Sequence, residues 1–257
     1  MKRFTGPPHP DRDRQFHHLQ TCQARFLNAG LPILSVDTKK KELLGNFANA
    51  GRTWRAQPAE VNAHDFKQDA RARAVPYGLY DLQRQRGHVR VGLSGDTPRF
   101  AVSAIAHWWR TEGRRAYRPA RRLFLLADAG GSNSCRARAW KYELQRQLAD
   151  PFGITVTVCH YPTGASKWNP VEHRLFGPIS VNWAGEPLSS LRILLAFLRG
   201  TSGAQTTASL DRRCYLTGQK VTPQQMASVR LLPHRTCPQW NYSILPHRRR
   251  PSLDSGP

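Results

Sequence analysis

Asp37, Asp128 and Glu172 are the residues of this sequence best suited to do chemistry together. Asp37 closes the β-prone run Leu31–Asp37, LPILSVD, and Asp128 follows Leu123–Ala127, LFLLA, which is apolar at every position. Glu172 falls in the first turn of a helix announced by Asn169-Pro170. Asn is a favoured N-cap, and the fixed φ of Pro suits the first helical position. Three carboxylates in one place repel and raise one another's pKa unless cations neutralise them. Hard divalent ions with oxygen ligands answer that need, and Mg²⁺ combines one or two carboxylates with waters and substrate phosphates. Two such ions about 4 Å apart clamp the attacking and leaving oxygens of a phosphodiester displacement. Spacing alone leaves the alternative that Asp37 and Glu172 are surface groups.

The elements that must bring these acids together can be read from the pattern. A helix over Arg14–Leu27 precedes the strand ending in Asp37, and Asn49-Ala50-Gly51 reads as the turn of a hairpin. Val75–Leu82 and His88–Leu93 read as two strands joined by a charged turn. A helix opens at Thr97-Pro98, carries Ala101, Ile105 and Trp108 at helical spacing and ends by Gly113. After the Arg-rich connector RRAYRPARR comes LFLLA, a central strand covered on both faces, with Asp128 at its carboxyl end. A Gly-rich loop, a helix over Ser134–Asp150 that stops at Pro151, and a strand Ile154–Val158 lead to the stretch bearing Glu172. Mixed sheets flanked by helices place ligands at the carboxyl ends of strands, and the strands of Asp37 and Asp128 are expected to be neighbours.

The 257 residues suffice for one large or two small domains. Thirty-nine Lys and Arg against 17 Asp and Glu give a net charge of +22, a field that attracts polyanions through phosphate neutralisation. A basic solvated surface without a ligand is the bland alternative. The five Cys form no CxxC pair, and their spacing suits neither a zinc site nor a disulfide framework, so reduced structural thiols are expected. Cys159 and His160 are adjacent on a strand and point to opposite faces, which argues against shared ligation. No apolar run approaches the roughly 18 residues of a membrane span, and the first twenty residues lack the apolar region of a secretory signal. A cytoplasmic, nucleoid-associated protein is the default.

The runs SVDTKKKELLGNF, HDF, PYGLYDL, DTPRFAVSAIAHWW, ADAGGSN and SKWNPVEHRLF, in this order, resemble the catalytic domain of insertion-sequence transposases of the Rhodopirellula-type DDE family. NPVEH is also similar to the third acidic motif of mariner-like transposases. The resemblance is close over residues 8–183 and ends with WNYSI at Trp240–Ile244. It implies an α/β, ribonuclease H-like mixed sheet flanked by helices, with Asp37, Asp128 and Glu172 as a catalytic triad holding Mg²⁺ or Mn²⁺. It further implies DNA, both element ends and target, as partner, and a homo-oligomer on that DNA. Lys167, Asn169 and His173 flank the third acid and are expected to touch DNA phosphate or order the metal shell. For two of them a simpler role stands beside this: capping by Asn169, solvation of Lys167. Arg114, Arg115 and Arg121 of the connector either touch the phosphate backbone or sit on a solvated loop. Asp81 ranks as a runner-up carboxylate, Asp96 as a helix-entry residue, and Trp108-Trp109 as core.

The expected organisation is a polar lead-in over residues 1–30, the catalytic domain over 31–200, an extension over 201–246 and a disordered basic tail over 247–257. Three departures from the family pattern stand out. Met1 falls just before the catalytic domain, where the family's chains begin upstream with a helical DNA-binding region. Gly177-Pro178 interrupts the helix of Glu172, and a mid-helix Pro costs roughly 3 kcal/mol or a kink. Residues 184–235 keep the length and little of the pattern. A truncated or decaying transposase copy is the expectation, with a non-catalytic basic DNA-binding remnant or another ribonuclease H-like nuclease as alternatives.

Overall fold

The computed structural model describes residues 9–54, 56–57, 60–62, 70–203 and 205–248. The HDF run at 64–66 and the tail from 249 lie outside the described residues. The strands are β1 (Ile33–Thr38), β2 (Glu42–Leu44), β3 (Ala72–Asp81), β4 (Arg86–Gly92), β5 (Arg122–Asp128), β6 (Thr155–Tyr161), β7 (Gln205–Asp211), β8 (Leu231–Pro233) and β9 (Asn241–Ile244). They form one nine-stranded sheet in the order β7-β4-β3-β1-β5-β6-β9-β8, with β2 paired to β3 off that path. Within it, β3 runs antiparallel to both β4 and β1, while β5 and β6 run parallel to β1. That core order is the ribonuclease H-like arrangement.

The helices are α1 (Arg12–Asn28), α2 (Pro98–Trp108), α3 (Arg114–Ala116), α4 (Arg138–Leu144), α5 (Asp150–Phe152), α6 (Gly177–Asn182), α7 (Leu191–Arg199) and α8 (Pro223–Ala227). The alternation of side chains along each strand splits them into two layers. On one face, Phe100, Ile105 and Trp108 of α2 and Trp140 and Leu144 of α4 pack on Leu34, Val36, Tyr77, Leu125 and Val158. Trp108 and Trp109 are both core. On the other face, α1 lays Leu19, Cys22 and Phe26 over Ile33, Phe124, Leu126 and Cys159. Beside it, the Glu172 helix and α7 bury Leu175, Phe176, Ile179, Leu194 and Leu198 against Tyr80, Val89 and Val91. No helix among the described residues is long and apolar enough to cross a membrane.

The helix expected over Arg14–Leu27 is present as α1 and is docked on the sheet: the Gln15 side chain is buried and donates to His160 O and Asn241 Oδ1, both at 2.8 Å. Several expectations change here. The segment expected as an extension supplies β7 beside β4 and the β8–β9 pair beside β6, so the sheet does not end at residue 200. Asn49-Ala50-Gly51 turns no hairpin. Gly51, at φ 101°, lies against Ala184, and Gly185 N–H donates to Ala50 O at 3.0 Å, so this loop docks on the end of α6. The helix expected to stop at Pro151 runs through a π turn at Gln145–Ala149 to Phe152 and ends on Gly153, whose φ of 62° suits a residue without Cβ.

Gly177-Pro178 does not break its helix. A π turn spans Glu172–Phe176, closed by Gly177 N–H donating to Glu172 O, and α6 continues from it. Widening the turn ahead of the proline relieves the ring's conflict with the preceding turn. Val171, Leu175, Ile179 and Trp183 all remain buried in one cluster.

Candidate active site

β1 and β5 are neighbouring parallel strands in a register that sets Val36 opposite Ala127. One step further along both strands, Asp37 stands abreast of Asp128 on the same face. Neighbouring strands lie about 4.8 Å apart, so the two carboxylates are close by construction. The third acid arrives from above. Gly78 is paired with Asp37 across β1 and β3, and a Cβ there would lie 2.3 Å from the Phe176 ring and 3.1 Å from Val171 Cγ2. Gly87 on β4 likewise receives Leu175, 2.5 Å from where its Cβ would be. Two glycines thus let the helix of Glu172 lie directly on the sheet.

A buried polar relay then ties the three elements. Ser35, two residues before Asp37 and on the same face, donates its hydroxyl to Asn169 Oδ1. The same hydroxyl oxygen accepts the Val171 N–H at 2.8 Å, satisfying one of the orphan donors of the Glu172 helix. Asn169 Nδ2 in turn donates to Asp128 Oδ1 at 3.1 Å and to Val36 O at 3.4 Å. Asp37 Oδ1 accepts the N–H of Thr38 at 2.7 Å. Thr38 Oγ1 donates to Asp96 at 3.1 Å, so Asp96 stands on the rim of the site as well as before α2.

All three acids are displaced from their ordinary range in the same direction. Burial first, and then the neighbouring Asp128 carboxylate, push Asp37 up to about 8. Burial also raises Asp128, against the lowering effect of the Asn169 amide. Burial and Asp128 raise Glu172, while a hydrogen bond to Asp37 and the charges of Lys39 and His173 pull the other way. Carboxylates held together against their repulsion need a proton or a cation between them. An oxygen-only donor set favours a hard cation. These residues fit a divalent ion.

The remaining expected residues divide. Asn169 is fully buried and engaged in the relay, so it reaches no phosphate; nor does its side chain cap its own helix, a task that Ser35 performs from β1. Lys167 and His173 are exposed beside Glu172; Lys167 lies 5.6 Å from the Trp168 ring, and the His173 Nε2 meets Lys167 O. Arg114, Arg115 and Arg121 are exposed; Arg121 directly precedes β5, whose seven residues set it about 20 Å from Asp128, and Arg114 lines a surface pocket with Arg121. The fold does not bring them to the acids. Asp81 is excluded as a fourth acid: it is buried and accepts the Tyr117 hydroxyl at 2.5 and 2.7 Å and the N–H groups of Gln83 and Arg84.

Sequence reasoning missed two features. Ser35 carried no signal by itself, though its place two residues before Asp37 sets it on the same face. The second is a groove of about 820 Å³ lined by Lys39, Lys40, Lys41, Arg73 and Trp183, beginning two residues after Asp37. Lys39 lies 4.9 Å from the Trp183 ring and 3.3 Å from Glu42, while Lys40, Lys41 and Arg73 are exposed. The run KKK was the visible signal.

Comparison with curated proteins gives no match. Among solved structures, the Mos1 strand transfer complex aligns at 16% identity and TM-score 0.49, over 77% of this chain and 56% of that one. The mariner Mos1 paired-end complex with Mg aligns at 16% identity and TM-score 0.48, over 77% and 57%. The pre-cleavage Mos1 transpososome gives 15% identity and TM-score 0.47, over 77% and 58%. The chain thus spans a little over half the length of these Mos1 chains. The Rhodopirellula transposase DDE domain matches residues 1–246, a span that takes in every strand of the sheet and all three acids. The chain belongs to the Rhodopirellula transposase DDE domain family.

Proposed function

We propose that this chain is the catalytic domain of an insertion-sequence transposase, hydrolysing the phosphodiester at element ends and joining the freed 3′-hydroxyl to target DNA. The observation that carries this reading is the convergence of Asp37, Asp128 and Glu172 at one end of β1 and β5, held there by Ser35 and Asn169 despite their repulsion. In this reading the three carboxylates hold Mg²⁺ or Mn²⁺. When bound, the ions supply an activated water or 3′-hydroxyl and neutralise the charge developing on the leaving oxygen.

The protein's own part is positioning. Asn169 fixes one Asp128 oxygen, leaving the other side of that carboxylate for a ligand. Thr38 N–H does the same for Asp37. Lys40, Lys41 and Arg73 line the groove that takes the phosphate backbone, and Lys167 and His173 contact the strand beside Glu172. A second copy of the chain on the other element end completes the assembly.

The test is nicking of supercoiled plasmid and joining of 3′-hydroxyl oligonucleotides in Mg²⁺ or Mn²⁺, with Asp128→Ala beside the unaltered protein. Metal-dependent nicking that Asp128→Ala abolishes is the expected result. Equal nicking by both removes the triad assignment. Salt-sensitive DNA binding without cleavage under either metal leaves the basic-remnant reading in its place.

A further inference from the structure

Away from the acids, on the face covered by α1, three soft ligands converge. His18 and Cys22 stand one helical turn apart on α1, and Cys159 rises from β6 beneath them. One nitrogen of His18 and the sulfurs of Cys22 and Cys159 all lie within 4.8 Å of one another. His18 Nε2 is 3.5 Å from Cys22 Sγ. The same nitrogen is 3.2 Å from Nδ1 of His234, which follows β8 and stands just outside that group of three. A tetrahedral zinc ion with usual bond lengths sets its ligand atoms about 3.3 Å apart for two nitrogens and about 3.6 Å for nitrogen and sulfur. The two observed separations match those edges.

We propose that His18, Cys22 and Cys159, with His234 as the fourth ligand, form a structural Zn²⁺ site that fastens α1 and the loop before β9 to β6. His234 already has a partner that orients its ring for this: its Nε2 is 3.0 Å from Ser243 Oγ, leaving Nδ1 for the metal. In the metal-free protein burial and the Cys22 sulfur raise the Cys159 thiol well above its ordinary value, so its proton would leave only as the metal binds. Burial and Arg25 hold the His18 imidazole neutral, and burial and His18 do the same for His234. The Cys22 thiol is drawn down to about 7, chiefly by its hydrogen bond with Cys159. Arg25 and Arg122 stand close enough to favour thiolate. Two thiolates and two neutral imidazoles balance the charge of Zn²⁺ and prefer it to the hard ions suited to the carboxylates.

The site differs from the acids in ligand chemistry and does not depend on the transposase reading. It is coupled to them in space. Cys159 is paired with Leu126 on β5, two residues before Asp128 and on the same face. A metal clamp here holds α1 and β6 firm beside the catalytic end of β5.

Metal content decides it. The protein is made with Asp37→Asn and Asp128→Asn, so that the carboxylates bind nothing, and zinc per chain is measured by mass spectrometry after dialysis. One zinc per chain is expected, and Co²⁺ in its place gives tetrahedral d–d bands with thiolate-to-metal charge transfer. Cys159→Ser abolishes both. Because Cys159 is fully buried, His18→Ala, at a partly exposed position, is the second variant, expected to fold and to lose the metal at zinc concentrations that saturate the parent. Absence of stoichiometric zinc, a Cys22–Cys159 disulfide in the purified chain, or zinc retained in both variants overturns the proposal.

Discussion

The Ser35 hydroxyl bonds the Asn169 amide oxygen, and through that bond β1, β5 and the helix of Glu172 share one hydrogen-bonded unit. Neither residue would touch substrate, yet each sets where a carboxylate stands. Asn169→Ala frees the Asp128 carboxylate and strands the Ser35 hydroxyl. Losing a partner that orients a metal ligand typically costs 10–100-fold in metal affinity. The expected outcome is a rise of that size in the Mg²⁺ concentration for half-maximal nicking, read by titration. Ser35→Ala also leaves the Val171 N–H buried without an acceptor, which costs about 1–3 kcal/mol in denaturant unfolding. Unchanged metal dependence in Asn169→Ala would refute the orienting role.

The pH response of the metal-free protein follows from the same crowding. Burial and Asp128 push Asp37 up to about 8, against about 3.9 in an unfolded chain. Between those values the folded protein holds a proton that the unfolded chain has released. Its stability therefore falls as pH rises through the window from roughly 4 to 8. A divalent ion removes the repulsion that causes the loss. Mg²⁺ should thus raise the melting temperature more at about pH 8 than at about pH 5. Asp37→Asn should stabilise the metal-free protein at the higher pH and blunt the Mg²⁺ response. Equal Mg²⁺ shifts at both pH values, measured by scanning calorimetry, would contradict this origin.

How much of this was legible in the sequence depends on how local each signal is. Asp128 was readable because LFLLA is apolar throughout and ends in an acid, the mark of a buried strand with its carboxyl end exposed. The abreast placement of Asp37 and Asp128 followed once their strands were taken as neighbours. For Asn169 the sequence left DNA phosphate, the metal shell and capping side by side, because a polar side chain at a helix mouth looks the same whether it faces solvent or core. Only the approach of Ser35 from β1 decides between them. The bond of Asn169 to Asp128 favours the metal shell. The Arg-rich connector pointed to phosphate by composition, but composition carries no direction, and β5 separates Arg121 from Asp128 by its full length. The soft-ligand cluster was hidden for a different reason. His18 and Cys22 stand four residues apart, a helical spacing, but Cys159 comes from a distant strand and His234 from the loop after β8, and no spacing rule links them.

Gly78 is the hinge of the site's geometry although it carries no functional group. Its missing Cβ is where the buried Phe176 ring sits. In Gly78→Ala the ring must move, and Phe176 shares its turn with Glu172. Overpacking of this kind costs about 1–3 kcal/mol. The expected outcome is a lower denaturation midpoint with a loss of nicking larger than the lost folded fraction explains. Full activity per folded molecule, judged from circular dichroism on the same sample, would show that the Glu172 helix does not depend on this contact.

The basic groove makes a prediction that separates near from far charge. Lys40, Lys41 and Arg73 are exposed along the groove that begins two residues after Asp37, whereas the connector of Arg114, Arg115 and Arg121 leads into the opposite end of β5. Each phosphate contact contributes about 0.9 to the slope of log K against log salt for duplex DNA. Replacing the three groove residues by Ala should lower that slope by about 2 to 3 and weaken DNA binding at every sequence alike. Lys39 is left in place because it is already held by Glu42 and Trp183. Because none of the three touches an acid, the Mg²⁺-dependent rise in melting temperature should persist in the variant. Replacing the three distant Arg residues should leave the cleavage rate of bound DNA unchanged. If the distant set, and not the groove set, controls both the salt slope and cleavage, the DNA path proposed beside the acids is wrong.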